Sequence, residues 1–317
     1  MTPAEILAAC ALDAAIGDPR SMPHPVRWMG SLSTYVHQRV RALVVGPRSL
    51  RAAGTALAVG LPVTAFVLGW ASIAAGAALH PWIGQAIGIC LASTTLAWRD
   101  LVNHVSAVSR ALNGGSLERA RQAVALIVGR DTQHLSEEEV VRAAVETIAE
   151  SACDGVIAPL VFLVVGGPPL ALAFKAVSTL DSMVGHRDEE YRNFGWASAK
   201  LDDVANWIPA RITAWLIAAA AGFVLFSSKA VKRSGRILLR DGHKHASPNS
   251  GRPEAAMAGA LGVQLGGVNF YGGCRTERPL LGDPAAPLSV RHVDRAASIM
   301  TVAYLLAIAA SVRFLWR

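Results

Sequence analysis

"GTALAVGLPVTAFVLGWASIAAGAAL", residues 54–79, carries no charged side chain, and its reading decides the fold. About 20 apolar residues in a helix cross the roughly 30 Å of bilayer hydrocarbon, and this run suffices. Outward from it, a second uncharged run continues after His80-Pro81 from Trp82 to Trp98. A third, Val156 to Phe174, is interrupted by Gly166-Gly167-Pro168-Pro169 and reads as a broken helix or a re-entrant hairpin. Ile212 to Phe226 and Ala296 to Val312 complete the set. The chain as a whole agrees: mean hydropathy is +0.37 and only 17% of residues are charged, against roughly 25% in soluble domains. The expectation is an all-α, polytopic membrane protein with four to five apolar helical segments, some open to a re-entrant reading, and cytoplasmic helical loops. It forms a single membrane domain over residues 1–317.

The net charge of +7 is concentrated. Residues 227–245 carry six Lys/Arg against one Asp, and Arg39, Arg41, Arg48 and Arg51 precede the first span. The positive-inside rule assigns both runs to the cytoplasm. Nucleic-acid binding is disfavoured, because aromatic stacking residues are absent from these runs. Crossing parity then leaves two topologies open. If 156–174 and 212–226 both cross, the charged stretch between them lies outside; if 156–174 turns back, it lies inside. The N-terminus, with Glu5, Asp13 and no basic start, does not read as a signal peptide. Cys10, Cys90, Cys153 and Cys274 show no metal or disulfide spacing. Gly84 with Gly88, and Gly262 with Gly266, have the spacing that permits close helix contact.

Three charged blocks could carry chemistry. Arg142, Glu146, Glu150 and Asp154 recur every fourth residue and form one helical stripe behind a capping box at Ser136 and Glu139. A solvated face is the plain reading, but Glu146 and Glu150 repel each other unless a cation intervenes. Such carboxylates at a membrane boundary want Mg²⁺, Arg or Lys as partners. The second block spans residues 174–215, with six acids and five bases between apolar runs. It offers Lys175 as a snorkelling or phosphate-binding cation, then Asp181, then Asp202 and Asp203 expected just ahead of a helix, where one would be the cap. Asn206 and Arg211 follow closely. The third block is the Ser247-Pro248-Asn249-Ser250-Gly251-Arg252 turn, expected to open a helix whose free N–H groups could hold an anion. There is no P-loop, dinucleotide fingerprint, zincin or serine-hydrolase motif.

Four stretches taken in order resemble the CobD/CbiB family, the adenosylcobinamide-phosphate synthases of cobalamin biosynthesis. They are "LDAAIGDPRSMPHPVRWMG", "RAAVETIAESACDGVIAPLVF", "KAVSTLDSMVGHRDEEYRNFGWASAKLDDVANWIPAR" and "DGHKHASPNSGRPEAAMAGALGVQLGG". Residues 39–97 match in hydrophobicity alone. The resemblance implies ATP-dependent amide ligation of adenosylcobyric acid with 1-amino-2-propanol or its O-phosphate, with ATP and Mg²⁺ as cofactors. It further implies a multi-pass protein of the cell inner membrane with its active site on the cytoplasmic side. Partners are the two substrates and the lipid bilayer, with a homo-oligomer or other cobalamin-assembly enzymes as further candidates and no nucleic acid. AmpE-like membrane sensors and transporters are the alternatives.

The resemblance also suggests roles. Glu150, Lys175, Asp181 and Asp203 become the catalytic candidates, with Asp181 binding metal or accepting a proton from the attacking ammonium. Glu146, Glu150, Asp154, Asp202 and Asp203 are the Mg²⁺ or amine-orienting candidates. Arg211, Arg252, Asn206, Ser247, Asn249 and Ser250 are assigned to substrate or phosphate, and Asp18, His24 and Arg27 to a further polar loop.

Overall fold

The computed structural model describes residues 1–19, 23–185 and 190–316. In chain order its elements are α1 (Pro3–Ile16), α2 (Pro25–Leu43), α3 (Pro47–Leu79), α4 (Pro81–Ser93), α5 (Trp98–Asn113), α6 (Leu117–Ala125) and α7 (Glu137–Ser151). A π-helical turn (Ala152–Ile157) leads into α8 (Ala158–Val184), followed by α9 (Trp196–Ala205), α10 (Trp207–Val224), α11 (Ser228–Asp241) and α12 (Gly251–Leu261). A hairpin of β1 (Leu265–Tyr271) and β2 (Cys274–Leu281) precedes α13 (Val290–Leu315). The structure is 75% helical, as an all-α membrane protein requires. Prolines at Pro3, Pro25, Pro47 and Pro81 start α1 to α4, where a missing N–H costs no helical bond.

Among the described residues four helical segments are long and apolar enough to cross a membrane: Pro47–Leu79, Glu137–Val184, Trp207–Val224 and Val290–Leu315. The apolar run at 82–98 is not one of them. Its helix α4 has 13 residues, about 20 Å, and ends in a turn at Thr94. The interrupted run at 156–174 belongs instead to one of the four, and its break is real: Gly166 and Gly167 leave helical geometry inside α8 (φ −143° and 67°).

The chain divides into two compact units. One comprises Met1–Ala97, Pro159–Asn206 and the residues from Ala310 onward; the other comprises Trp98–Ala158 and Trp207–Ala309. In the first, α3 and α4 fold back on each other at His80-Pro81, and a Cβ on Gly84 would stand 2.7 Å from that of Ala77. Leu172, Ala176, Leu180 and Val184 of α8 pack with Leu61, Ala65, Met29 and Phe194.

In the second unit, α12 is buried along its whole length except at Arg252, packed among α7, α10 and α11. Small residues make this possible, since a Cβ at Gly259 would lie 2.7 Å from the Cα of Ser234. Gly262, at φ 73°, ends α12, and Gly266 lies in β1. The expected helix contact from this glycine pair is therefore replaced by a helix cap and a strand. The hairpin itself was not anticipated. Its turn is Gly272-Gly273, both at positive φ, the geometry that two-residue hairpin loops favour. Asp131 accepts both amides, at 3.0 and 2.7 Å.

The basic run is the amphipathic helix α11. Its Arg233 is not a surface charge: the guanidinium donates to the Gly259 and Ala260 carbonyls at the end of α12. Asp241, fully buried, accepts from Arg240, from Lys244 at 2.6 Å and from the Gly282 amide at 2.8 Å. These contacts, with the Arg240 hydrogen bonds foremost, hold its carboxyl well below the ordinary carboxylate range.

Candidate functional site

The acid stripe of α7 turns inward. Burying charge demands partners, and the second unit supplies them from elements far away in sequence. Glu146, 2% exposed, forms an ion pair with Arg130, and its other oxygen accepts the Gly266 amide at 2.8 Å. Arg130 also donates to the side chain of Asn269 at 2.7 Å. Arg142, one turn before Glu146, donates to the Gly266 and Val268 carbonyls at 2.6 and 2.8 Å and to Asn269. Glu146 and Arg142 thus fasten the hairpin to α7.

Glu150, half-buried, faces α12, and Ser250 Oγ donates to its Oε1 at 3.1 Å. One turn along α12 stands Glu254, 1% exposed. Its Oε1 has no hydrogen-bond partner among the described residues. Burial, then the charges of Glu146 and Glu150, push the Glu254 carboxyl well above its ordinary range, while Arg278 and Arg130 pull the other way. His245 lies in the same field, and burial, followed by Arg278, lowers its ring below the usual histidine value. The result is a nest with a buried floor of Glu146 and Glu254 and a partly exposed rim of Glu150, Ser250, His245 and Arg278. Sequence reasoning missed Glu254, Arg130, His245 and Arg278; a lone acid in an otherwise small, apolar helix was the available signal.

Ser247 Oγ accepts the amides of Asn249 and Ser250 at 3.2 and 3.3 Å, just ahead of the first turn of α12. Asn249 is buried, and Arg252 donates to the Pro248 carbonyl at 3.3 Å. Arg211 lies over the Trp207 ring at 3.8 Å in the first turns of α10. Asp154 sits in the π-helical turn.

The first unit holds the remaining candidates. His24 and Asp18 meet at 2.9 Å, and Arg27 donates to the Pro19 carbonyl at 3.0 Å. These three come together; residues 20–22 of the quoted loop lie outside the described residues. Lys175 and Asp181 both lie on α8, six residues apart and hence on different faces. Residues 186–189 of the charged stretch also lie outside the described residues. Asp202 and Asp203 precede α10 but do not cap it. They occupy the last turns of α9, which starts earlier, at Trp196. Asp202 accepts from Asn206 at 3.0 and 3.1 Å, and Lys200 approaches Asp203 at 3.5 Å. Among the described residues no three His, Cys, Asp or Glu side chains converge as a ready-made metal site.

Comparison with known proteins agrees along almost the whole chain. A family model described as CobD/Cbib protein matches residues 6–300. A Geobacter metallireducens protein named cobalamin biosynthesis protein CobD is 50% identical over 285 residues, covering 90% of this chain and 88% of its own. Salmonella typhimurium cobalamin biosynthesis protein CbiB is 45% identical over 307 residues, covering 96% and 95%. A CobD of Photorhabdus laumondii is 42% identical over 308 residues, covering 97% and 96%. No solved structure matches.

Proposed function

The chain belongs to the CobD/CbiB family of cobalamin biosynthesis proteins, and on that premise we propose that it is the ATP-dependent ligase joining adenosylcobyric acid to 1-amino-2-propanol or its O-phosphate. A carboxylate does not form an amide unaided at neutral pH. Transfer of a phosphoryl group from ATP gives an acyl phosphate and ADP; the amine nitrogen then bonds to the acyl carbon as the carbon–oxygen bond to phosphate breaks. The amine must arrive as a free base, so a proton has to leave its ammonium form. Such chemistry needs carboxylates to receive that proton and cations to offset phosphate charge.

The observation that carries the reading is the inward turn of the Glu146–Glu150 stripe. A sensor or a solvated helix has no use for three carboxyl groups gathered with two guanidiniums under a half-open rim. Glu150 is the member with an exposed edge and is assigned to the reacting groups.

Magnesium is part of the proposal. Glu146 does not suit it, because one of its oxygens faces Arg130 and the other an amide. Mg²⁺ needs only one or two carboxylates beside substrate phosphate, and Asp202 with Asp203 are assigned to hold it. When bound, it would neutralise polyphosphate charge. Lys175 is assigned to phosphate and Asp181 to proton acceptance.

The test is conversion of adenosylcobyric acid by membranes carrying the protein, supplied with ATP, Mg²⁺ and either amine. ATP-dependent formation of the amide is expected. Inserted protein with no ATP-dependent product overturns the reading. Competition between the free and phosphorylated amines identifies the preferred one.

A further inference from the structure

The nest on α7 and α12 holds a buried carboxyl that its own residues leave without a full set of partners. Glu146, Glu150, Arg278 and Arg130 act on Glu254, whose burial beside two carboxylates favours its uncharged form. Arg130 is committed to Glu146 and Asn269. The Arg278 guanidinium makes no side-chain hydrogen bond among the described residues and stands 5.9 Å from the Tyr271 ring. Glu254 keeps an oxygen without a donor at 1% exposure, and a buried acceptor left unmatched costs about 1–3 kcal/mol. Proteins rarely retain such a cost without a use. What Glu254 lacks is a donor.

Geometry narrows the occupant. Ser250 and Glu254 are four residues apart and share the face of α12 that meets Glu150. Glu150 and Glu254 oxygens can accept, and the Ser250 hydroxyl can accept when it releases Glu150. Three acceptors on packed turns of α7 and α12 match a primary ammonium, which has three donors and no acceptor. A divalent ion fits less well, since Mg²⁺ demands near-octahedral oxygen and keeps several waters, and Glu254 is buried.

We propose that Glu254, Glu150 and Ser250 form the seat of a primary ammonium group, with Arg278 on the rim for an anionic end of the same molecule. The inference takes the identity of that molecule, the short amine of the ligation, from the function proposed above.

The test uses the whole protein. Glu254→Gln keeps shape and removes charge. The KM for the amine should rise on the order of 10–100-fold, with the KM for ATP and corrinoid unchanged, as loss of a charge-assisted hydrogen bond implies. An unchanged amine KM overturns the seat. Independently of turnover, 1-amino-2-propanol should raise the melting temperature of the detergent-purified wild type at fixed pH and ionic strength, and 1,2-propanediol should not. If Glu254→Gln fails to insert, this comparison decides alone: equal shifts, or none, overturn the proposal. Amine-specific stabilisation in a protein that never forms the amide would leave the seat standing and remove the ligase reading.

Discussion

The guanidinium of Arg233 on α11 donates to the carbonyl oxygen of Ala260, in the last turn of α12, at 2.8 Å. A cation at a helix C-terminus satisfies carbonyls that have no intrahelical donor and meets the negative end of the dipole. Arg233→Gln should therefore lower stability by about 1–3 kcal/mol, read as a fall in melting temperature in detergent. Lys232→Gln, on the exposed side, should change little. Equal effects would return Arg233 to the role of a surface charge.

Glu146 and Glu150 share a stripe but not a job. Breaking the buried pair with Arg130 by Glu146→Gln leaves an uncompensated guanidinium, worth about 3–5 kcal/mol. The hairpin should loosen, seen as faster hydrogen exchange in β1. Glu150→Gln should leave that exchange unchanged and lower amide formation by about 10²-fold. If both variants behave alike, the division between fastening and reacting acid is wrong.

Asp203 near the C-terminal end of α9 opposes the helix dipole, so its charge costs the helix something. Asp203→Asn should be neutral or slightly stabilising, by about 0.3–1 kcal/mol, less the small worth of the exposed Lys200 pair. Activity should nonetheless fall by about 10²-fold if the charge serves Mg²⁺ or phosphate. Asp181→Asn should lose activity similarly. Full turnover in both returns these acids to surface solvation.

The carboxyl of Asp241 is held below its unfolded value, so its stabilising contribution is present above a pH of about 4 and is lost as pH falls through the folded value. The stability gap between wild type and Asp241→Asn should be widest near neutrality and close in acid. A gap that widened on acidification would reverse the sign and refute the assignment.

Sidedness is open to direct test. Cysteines replacing Glu150, Lys175 and Asp203 should be shielded from impermeant maleimide in sealed cells, as the proposed use of ATP requires. Labelling at 175 or 203 from outside would place them on the wrong face.

Local rules were legible wherever neighbours in sequence decide the outcome. The Ser136 capping box forms as its spacing demands, and Gly166-Gly167-Pro168-Pro169 breaks α8. What depends on distant partners was not legible. Asp202 and Asp203 look like caps, yet the residues from Trp196 to Lys200 are compatible with helix and carry it past them. Gly262 and Gly266 have helix-contact spacing, but Gly262 takes the left-handed conformation and stops the helix first. The hairpin hid behind a two-glycine turn inside a chain otherwise helical. Arg130 and Arg278 reach the nest from a loop and a strand that no periodicity connects to α7.

The break in α8 fixes a water level. Pro168 and Pro169 have no amide hydrogen, so the carbonyls of Val164 and Val165 cannot receive their usual helical bonds. Hydrocarbon offers no substitute donor. Val165 and Gly166 are exposed in the first unit, and Trp70 lies beside the same turn, a residue suited to the headgroup layer. Those carbonyls therefore need water or a donor from the protein itself, and residues 164–167 are expected at a polar boundary of the bilayer. A spin label at residue 165 should report bulk-like accessibility to polar relaxants; oxygen-dominated relaxation there would refute the boundary.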